Sequence, residues 1–335
     1  MSIGKTCPQP LHRIHHAAHH SRREAGMSNP RFNTLSIKDH HLEAFLQQYQ
    51  NEILLNFVHI SDTHLSADPD YTQDEADYPS LAGAKALVRQ LNALPFTPDF
   101  VLHTGDVVYD PDRHAYAATR DLLSQIRHHV YYLVGNHDDR AMLQEILLSA
   151  PTIRNKFYYE FEARGVQIVC LDSCAPHPYA GGALGDEQLA WLSAICSAVD
   201  TRPLVVAVHH NALPIGSPFW DEFMRMSDGE AFHRALLPAQ KRLRGVFFGH
   251  VHQATETYRD GILYASAPST WYQLHCWPGH NGIEQDRGAE PGFNVVTITR
   301  SQTFIRRHRF SVEAQDQISA SPIQRGISST SANSP

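Results

Sequence analysis

A regular alternation of short apolar runs and helix-like segments constrains this chain more than any other sequence feature. The apolar runs and the helix patterns that follow them occupy, in order, residues 54–60, 79–94, 100–103, 113–126, 131–134 and 139–149. Short apolar runs favour buried strands, whereas apolar residues at one-face spacing over a longer segment favour helices. Strands that alternate with helices in this way form βαβ units with parallel strands. The sequence therefore predicts an α/β fold that contains a parallel sheet.

The second half of the chain is richer in strands. A helix is predicted at residues 185–199, where Asp186 and Glu187 mark its first turn. Strands are predicted at residues 156–163, 166–171, 204–208, 245–248, 255–258, 262–265, 293–299 and 303–310. Because the strands after residue 245 are separated mostly by short turns, we expect a second, more antiparallel sheet that packs on the first.

The two ends of the chain lack this pattern. Residues 1–50 show no strand alternation and are rich in histidine, so they are predicted to form a flexible extension. Within them, Met27 is an alternative start and residues 38–50 are an alternative short helix. From residue 311 the composition shifts to Ser, Ala, Gln and Pro, which predicts a disordered tail over residues 311–335. The organised domain is predicted to span residues 51–310.

Charge and apolar pattern exclude several classes of protein. A formal net charge of -7 argues against a nucleic-acid or membrane-surface partner, because both are polyanionic and usually select a basic face. The sequence has no apolar run long enough to span a membrane, and its start lacks the apolar segment of a signal peptide. The 5 cysteines show no paired spacing, which is typical of a reducing compartment. We therefore expect a cytoplasmic protein with a small partner, and buried thiols at Cys170 and Cys174.

Polar residues suited to metal binding follow many of these strands. They are Asp62, His64, Asp106, Asn136, His137, Asp138, His209, His250 and His252. Ligands of α/β sheets bind at the carboxyl ends of the strands, so these side chains are expected to meet at one edge. Side chains two apart in an extended segment point to one face, as in Asp62-x-His64 and His250-x-His252.

Taken singly, each of these features has a simpler explanation. The Gly-Asn-His-Asp segment at residues 135–138 is compatible with an Asx turn, and each isolated histidine is compatible with a buried structural role. The complete ordered set favours a site for two cations instead. Its mixed nitrogen and oxygen ligands suit manganese, iron, zinc or cobalt better than calcium or copper.

The ordered motifs over residues 55–310 resemble those of the calcineurin-like metallophosphoesterases, a family of dinuclear phosphoester hydrolases. The resemblance implies an α/β metallophosphoesterase sandwich of two mixed β-sheets flanked by helices. It also implies two sets of metal ligands. The first set is Asp62, His64, Asp106 and His252, and the second is Asp106, Asn136, His209 and His250. Asp106 would bridge the two ions, His137 would contact the phosphate and assist the leaving oxygen, and Asp138 would orient His137.

Within the family, two stretches are similar to the bacterial class III cyclic nucleotide phosphodiesterases. They are the loop after His209-His210 and the segment at residues 267–273. Asn211 stands where proline is usual, and Met226-Ser227-Asp228 replaces a more typical Leu-x-Asn, so the shape of the substrate pocket stays open. The role of His210 also stays open: it either supports a metal ligand without touching the metal or is purely structural. His209 is favoured as the ligand.

The resemblance implies hydrolysis of a small phosphodiester, with a 3',5'-cyclic nucleotide such as cAMP as the first candidate. The attacking group would be a hydroxide that bridges the two cations, since metals lower the pKa of bound water. A glycerophosphodiester or another phosphoester is the alternative substrate, and a catalytically silent scaffold is the alternative class of function. A homodimer is compatible with the sequence.

Overall fold

Two mixed β-sheets lie at the centre of the described part of the chain. The structure is a computed structural model, and it describes residues 52–73, 76–175, 180–313 and 315–316. The predicted N-terminal extension, with Met27 and the alternative helix at residues 38–50, lies outside the described residues, as does most of the predicted tail.

The strands and helices alternate much as the sequence predicts. The strands are β1 (Ile53–Ile60), β2 (Phe100–His103), β3 (Val130–Tyr132), β4 (Tyr159–Ala163), β5 (Val166–Cys170), β6 (Leu204–Ala207), β7 (Leu243–Phe248), β8 (Glu256–Arg259), β9 (Ile262–Ser266), β10 (Gly292–Thr299) and β11 (Thr303–Arg309). The α-helices are α1 (Ser80–Asn92), α2 (Arg113–Leu123), α3 (Arg140–Met142), α4 (Gly185–Ser197) and α5 (Gly229–Leu236). Leu143–Leu147 and Trp220–Met224 form π-helical turns, and Leu237–Ala239 forms a 3₁₀ turn.

The first sheet has the strand order β11-β10-β1-β2-β3. Strands β1, β2 and β3 are parallel, as predicted, and β10 lies antiparallel to β1 with Val58 opposite Val295. The prediction that β10 and β11 belong to the second sheet is wrong. Every residue of β10 is buried, as expected for a strand in the interior of a sheet. Its two neighbours are β1 and β11.

The second sheet has the strand order β4-β5-β6-β7-β9-β8. Its central strands β5, β6, β7 and β9 are parallel, and only the edge strands β4 and β8 run antiparallel to their neighbours. The prediction of a more antiparallel second sheet is therefore wrong. The tight turn between β8 and β9 does form an antiparallel hairpin. However, β9 also pairs with β7 in the interior of the sheet, and the length of the turn does not predict that pairing.

The interior of the sandwich is built from alternate residues of facing strands. Leu55 and Phe57 of β1 point towards the second sheet, whereas Val58 and Ile60 point towards the helices. The ring of Phe57 stacks on Phe100 at 5.1 Å and contacts the edge of Phe247 across the sheets at 5.2 Å. Burial of each such side chain contributes about 1.5 to 3 kcal/mol. The predicted α/β sandwich of two mixed sheets flanked by helices is confirmed.

Three helical segments differ from the sequence predictions. The segment predicted as a helix at residues 139–149 consists of the single turn α3 and a π-helical turn. Helix α5 was not predicted, although Phe232 and Leu236 show the i, i+4 spacing of its buried face. The helices of the described residues include none that is long and apolar enough to cross a membrane.

The predicted tail begins too early. The carboxylate of Asp316 is only 6% exposed and lies 2.7 Å from Nη2 of Arg89 on α1. Glu313 also lies within ion-pair distance of Arg89, at 3.3 Å. The chain therefore still contacts the domain a few residues beyond the predicted boundary at residue 310, through this charge pair and through Val312, which packs against the core.

Candidate metal centre

Loops at the carboxyl ends of the strands carry the predicted metal ligands. Asp62 and His64 follow β1, Asp106 follows β2, His209 follows β6, and His250 and His252 follow β7. Backbone hydrogen bonds join these loops to one another: the N–H groups of Asp62, His64 and Gly249 donate to the carbonyls of Gly105, Asp106 and His209 at 3.0, 3.1 and 3.0 Å. The two sheets thus bring ligands from distant parts of the chain to one edge.

Left-handed backbone is concentrated in these loops. The φ angles of Asp62, His64, Asp106, His250 and His252 are 55°, 45°, 54°, 68° and 48°. Non-glycine residues held in such regions cost about 1 to 3 kcal/mol each and cluster at functional sites. The sequence argument assumed that the Asp-x-His and His-x-His pairs lie in extended segments. Their φ angles show that they do not. Reversal of the backbone at both members of each pair turns their side chains inward.

Two glycines allow the loops to approach this closely. A Cβ atom at Gly135 would overlap the backbone nitrogen and the carboxylate of Asp106. A Cβ atom at Gly249 would overlap the hydroxyl of Ser61 and come within 2.9 Å of the Asp62 carboxylate. A larger residue would therefore not fit at either position, directly before Asn136 or directly before His250, without movement of a loop.

One cluster contains all the ligands that the resemblance implies for the first cation. The ligand atoms of these side chains lie within 4.8 Å of one another, and all are buried: Asp62, His64, Asp106 and His252. Nε2 of His64 lies 2.9 Å from Nε2 of His252 and 3.6 Å from Oδ2 of Asp106. Nε2 of His252 lies 3.6 Å from Oδ1 of Asp62.

The second position is centred on His209 and shares Asp106. Nε2 of His209 lies 3.4 Å from Oδ2 of Asp106 and 3.1 Å from Oδ1 of Asn136. Since Oδ1 of Asp106 accepts from the backbone N–H of His137 at 2.9 Å, Oδ2 is the oxygen that faces both His64 and His209. A single carboxylate oxygen between two imidazoles is the geometry that a bridging ligand requires.

Backbone carbonyls determine which ring nitrogen of each histidine faces the centre. Nδ1 of His209 donates to the carbonyl of Thr104 at 2.7 Å, and Nδ1 of His252 donates to the carbonyl of Tyr272 at 3.1 Å. Their Nε2 atoms therefore point inward. His250 has the opposite arrangement, because its Nε2 donates to the carbonyl of Met224 at 3.0 Å and leaves Nδ1 for the site. Carbonyl acceptors of this kind orient metal-binding histidines.

His210 is already occupied on both ring nitrogens, although it lies within 4.8 Å of His209 and His250. Its Nε2 donates to the carbonyl of Ala180 at 3.0 Å, so its Nδ1 accepts from the hydroxyl of Ser173 at 2.7 Å. Burial, together with the neighbouring His209, lowers the pKa of His210 to about 3, so the ring is neutral. These contacts favour the structural role for His210.

Two buried carboxylates face each other without an arginine or lysine between them. Among the described residues, the ion-pair partners of Asp62 and Asp106 are all histidines. Burial raises the pKa of Asp62, and the nearby His209 only partly opposes the shift. Burial acts on Asp106 in the same direction, but His209 and His137 outweigh it and hold the pKa of Asp106 well below its usual range.

The donor set therefore fits two cations. Buried carboxylates are stable when a positive charge compensates them, and the inward-facing imidazole nitrogens offer lone pairs beside them. Mixed nitrogen and oxygen ligands of this type suit transition metals. The assignment of particular ligands to each ion stays a prediction.

His137 lies at the open side of the centre. Its ring is half-buried and meets the ring of His64 edge-on, with the centroids 4.7 Å apart. Nδ1 of His137 donates to the carbonyl of Tyr109 at 2.8 Å. Among the described residues, Nε2 has no hydrogen-bond partner, so a substrate can reach it.

Asp138 does not orient His137, contrary to the expectation from the family. Its carboxylate accepts from the backbone N–H groups of Gly135, Val107 and Val108 at 2.9, 3.1 and 3.2 Å and from the hydroxyl of Tyr116 at 3.1 Å. These bonds tie the loop after β2 to the loop after β3. Tyr109 supplies the acceptor for His137 because its carbonyl faces the ring, whereas the Asp138 side chain turns away from the site.

Aromatic residues form a wall beside the centre that the sequence argument largely missed. The ring of Tyr272 lies 4.6 Å from that of His252, and the ring of Tyr109 lies 5.0 Å from that of His137. Two hydrogen bonds anchor Trp271 to Tyr78. The indole N–H of Trp271 donates to the carbonyl of Tyr78 at 2.8 Å, and the hydroxyl of Tyr78 donates to the carbonyl of Trp271 at 2.7 Å. Trp271 and Tyr272 fall in a stretch that the resemblance marked, whereas Tyr109 lies in a loop with no motif.

Two cavities differ in their relation to the site. One of about 580 Å³ opens beside the aromatic wall and is lined by Tyr71, Thr72, Gln73, Tyr272, Leu274, Ile283 and Gln285. Another of about 530 Å³ lies against β3 and β4 and is lined by residues that include Tyr131, Leu148 and Phe157. None of the predicted site residues is among the described residues that line either cavity, but Tyr272 of the first cavity contacts His252. The buried thiols predicted at Cys170 and Cys174 are confirmed, and they are not part of the centre.

A sandwich of two mixed sheets with Asp, Asn and His residues at one edge defines the class of the metallophosphoesterases. The sequence comparison agrees, since a profile described as calcineurin-like phosphoesterase matches residues 55–254. This chain belongs to the calcineurin-like phosphoesterase family, a family of hydrolases, and the predicted membership is confirmed.

Two curated relatives and one solved structure illustrate the relationship. The chain is 30% identical over 254 residues to the 3',5'-cyclic adenosine monophosphate phosphodiesterase CpdA of Vibrio vulnificus, a match that covers 74% of this chain and 87% of that protein. It is 31% identical over 223 residues to the glycerophosphodiester phosphodiesterase GpdQ of Enterobacter lignolyticus, which covers 65% and 78%. A dimetal phosphatase from Danio rerio superimposes with a TM-score of 0.54 at 15% identity, covering 77% of this chain and 100% of that one, and shows the fold alone.

Proposed function

We propose that this chain is a dinuclear phosphodiesterase that hydrolyses a small phosphodiester, with a 3',5'-cyclic nucleotide, cAMP first, as its substrate. The observation that carries the proposal is the position of Asp106 Oδ2, 3.6 Å from Nε2 of His64 and 3.4 Å from Nε2 of His209. That oxygen joins the two halves of the centre. The name of the Vibrio vulnificus relative supports cAMP as the substrate.

The residues that would hold the ions are those that the family resemblance implies. Asp62, His64, Asp106 and His252 would hold one ion, and Asp106, Asn136, His209 and His250 the other. Manganese, iron, zinc and cobalt are the proposed metals. Two such cations would lower the pKa of water and offset the charge of a phosphodiester.

His137 would act on the substrate directly. Because Nδ1 donates to Tyr109, Nε2 is the atom that faces an ester at the centre. With the ring protonated, Nε2 would complement charge on a phosphoryl oxygen and donate the proton to the departing alkoxide. Asp138 would keep the loops of Asp106 and Asn136 together and would not touch the substrate.

A glycerophosphodiester is the second candidate substrate. The specific observation in its favour is the 31% identity to a glycerophosphodiester phosphodiesterase. A silent scaffold is less well supported, because all the predicted ligand types are present at the centre. A cytoplasmic location, a homodimer and the absence of a nucleic-acid partner remain predictions.

A hydrolysis panel tests the proposal. Protein freed of metal and then supplied with manganese is assayed on cAMP, cyclic GMP, glycerophosphocholine and an aryl phosphodiester. We expect turnover of a cyclic nucleotide at a higher kcat/KM than that of glycerophosphocholine. The reverse order would replace the proposed substrate with a glycerophosphodiester, and no turnover of any ester with bound metal would support a scaffold.

A further inference from the structure

The cavity beside the aromatic wall combines flat, aliphatic and amide surfaces. The rings of Tyr71 and Tyr272 line it, and so do the side chains of Leu274 and Ile283. Ile283 is 57% exposed, so its side chain is available to a ligand in the cavity. A flat ligand with apolar faces would cover these groups.

The cavity lies next to the catalytic centre and is separated from it by aromatic rings that contact both. Tyr272 lines the cavity, and its ring also lies 4.6 Å from that of the predicted ligand His252. On the other side, the ring of Tyr71 lies 5.0 Å from that of Tyr109, which in turn lies 5.0 Å from that of His137. An ester whose phosphate is at the centre would therefore extend its substituent into this cavity.

A hairpin positions the far wall. The N–H of His275 donates to the carbonyl of Glu284 at 2.8 Å, and the N–H of Asp286 donates to the carbonyl of Gln273 at 3.0 Å. Leu274 and Gln285 pair across this hairpin in an isolated β-bridge. The backbone thus places the Gln285 side chain beside an aliphatic surface.

Two amides give the cavity a hydrogen-bonding character. Nε2 of Gln73 donates to the hydroxyl of Tyr109 at 2.6 Å, which leaves its Oε1 as an acceptor. The amide of Gln285 has no hydrogen-bond partner among the described residues, so both its donor and its acceptor are available. No arginine or lysine is among the described residues that line the cavity.

A nucleobase is the flat ligand that fits this combination, and the amides favour one base. Adenine presents an acceptor at N7 next to a donor at N6, which a glutamine amide pairs in a bidentate manner. Guanine presents two adjacent acceptors, O6 and N7, which select arginine or lysine. A quaternary ammonium would use the aromatic faces but not the amides.

We propose that this cavity is the base subsite of the phosphodiesterase and that Gln285 selects adenine over guanine. The inference rests on the proposed function and names the residues that would determine its specificity. Gln285 would be a specificity-determining residue and would take no part in the chemistry.

The test replaces the amide side chain at position 285 with an apolar or a cationic one. We compare the parent with Gln285→Leu and Gln285→Arg, and we use Gln302→Arg as the matched control, since Gln302 lies exposed in the turn between β10 and β11. For each protein, and for Tyr71→Ala as a probe of the aromatic faces, kcat/KM is measured on cAMP, cyclic GMP, glycerophosphocholine and bis(p-nitrophenyl) phosphate, an aryl diester without a base.

We expect the parent to prefer cAMP by about 5- to 140-fold, because a bidentate pair discriminates by roughly 1 to 3 kcal/mol and each 1.4 kcal/mol is tenfold. Gln285→Leu should lose the preference, and Gln285→Arg should reverse it towards cyclic GMP. Both variants should still hydrolyse the aryl diester, which shows that the metal centre is intact, and Gln302→Arg should match the parent on all four substrates.

Four results would overturn the inference. Equal use of cAMP and cyclic GMP by the parent, or equal changes on both in Gln285→Arg, would reject the base subsite and leave the cyclic nucleotide function standing. Hydrolysis of the aryl diester without any cyclic nucleotide turnover would reject both. A preference for glycerophosphocholine that Gln285→Leu leaves unchanged and Tyr71→Ala abolishes would identify the cavity as an aromatic cage for a quaternary ammonium.

Discussion

Nε2 of His64 lies 2.9 Å from Nε2 of His252, although the two residues are 188 positions apart in the chain. His252 donates its Nδ1 proton to Tyr272, so its Nε2 carries a lone pair that points at His64. Two imidazoles held this close, beside the buried carboxylates of Asp62 and Asp106, are suited to bind a cation between them.

Removal of metal should abolish activity. Protein treated exhaustively with a chelator is expected to lose turnover of any phosphodiester and to regain it with manganese, because a metal would lower the pKa of water and so supply a hydroxide at neutral pH. Elemental analysis before and after the treatment, together with the hydrolysis rate, checks this. Undiminished turnover by protein shown to be free of metal would contradict it.

Asp106→Ala should lose metal and activity together. Among the described residues, Asp106 is the one carboxylate within ion-pair distance of both His64 and His209, so its removal weakens both positions at once. We expect metal content to fall with kcat, and higher substrate concentrations should not restore the rate. The matched control is Asp121→Ala, since Asp121 is exposed on α2 and pairs only with Arg120 among the described residues. Full metal occupancy in Asp106→Ala would argue against a bridging role.

His137→Ala should keep its metal and lose rate. We expect kcat/KM on an alkyl diester to fall by about 10² to 10⁴-fold, the usual range for a general acid. The loss should be smaller for an aryl diester, whose leaving group needs little protonation. His114→Ala, at an exposed position on α2, is the control. Equal losses on both esters would leave His137 with phosphate binding alone, and loss of metal would mean that the ligand assignment is wrong.

Gly135→Ala should disrupt the centre without removing any ligand. The added Cβ would overlap the backbone nitrogen and carboxylate of Asp106, so one of the two loops has to move. We expect lower metal content and a lower midpoint of thermal unfolding. Gly282→Ala is the control, because a Cβ there would meet nothing within 4 Å. A Gly135→Ala protein with the parent's metal content would show that one of the loops can move to accommodate the added Cβ without loss of the metal, which would contradict this prediction.

The end of the domain should lie after Asp316. A chain that ends after residue 316 is expected to unfold at the temperature of the full chain, whereas one that ends after residue 312 should be less stable by about 1 kcal/mol. Partly buried Arg89 would lose both Asp316 and Glu313 as partners in the shorter chain. Thermal unfolding of the two truncated chains decides between them. Identical midpoints would restore the boundary predicted from composition.

The sequence by itself determined the class of fold and the identity of the chemical groups. Strand and helix periodicity is a local property, so the parallel β1, β2 and β3 could be predicted from runs of a few residues. The polar residues at the strand ends could be predicted as a cluster for the same reason, because parallel strands bring their carboxyl ends to one edge.

Only the tertiary structure decided how distant segments meet. The pairing of β10 with β1, the left-handed backbone at the site and the turn of Asp138 away from His137 all depend on packing between parts of the chain that no local pattern connects. The same is true of Gln73 and Gln285, which lie far apart in sequence and line one cavity because a loop and a hairpin converge beside Tyr272. Local periodicity fixes where a strand ends, whereas side-chain partners are selected by the space and the hydrogen-bonding groups that the assembled sheets leave there.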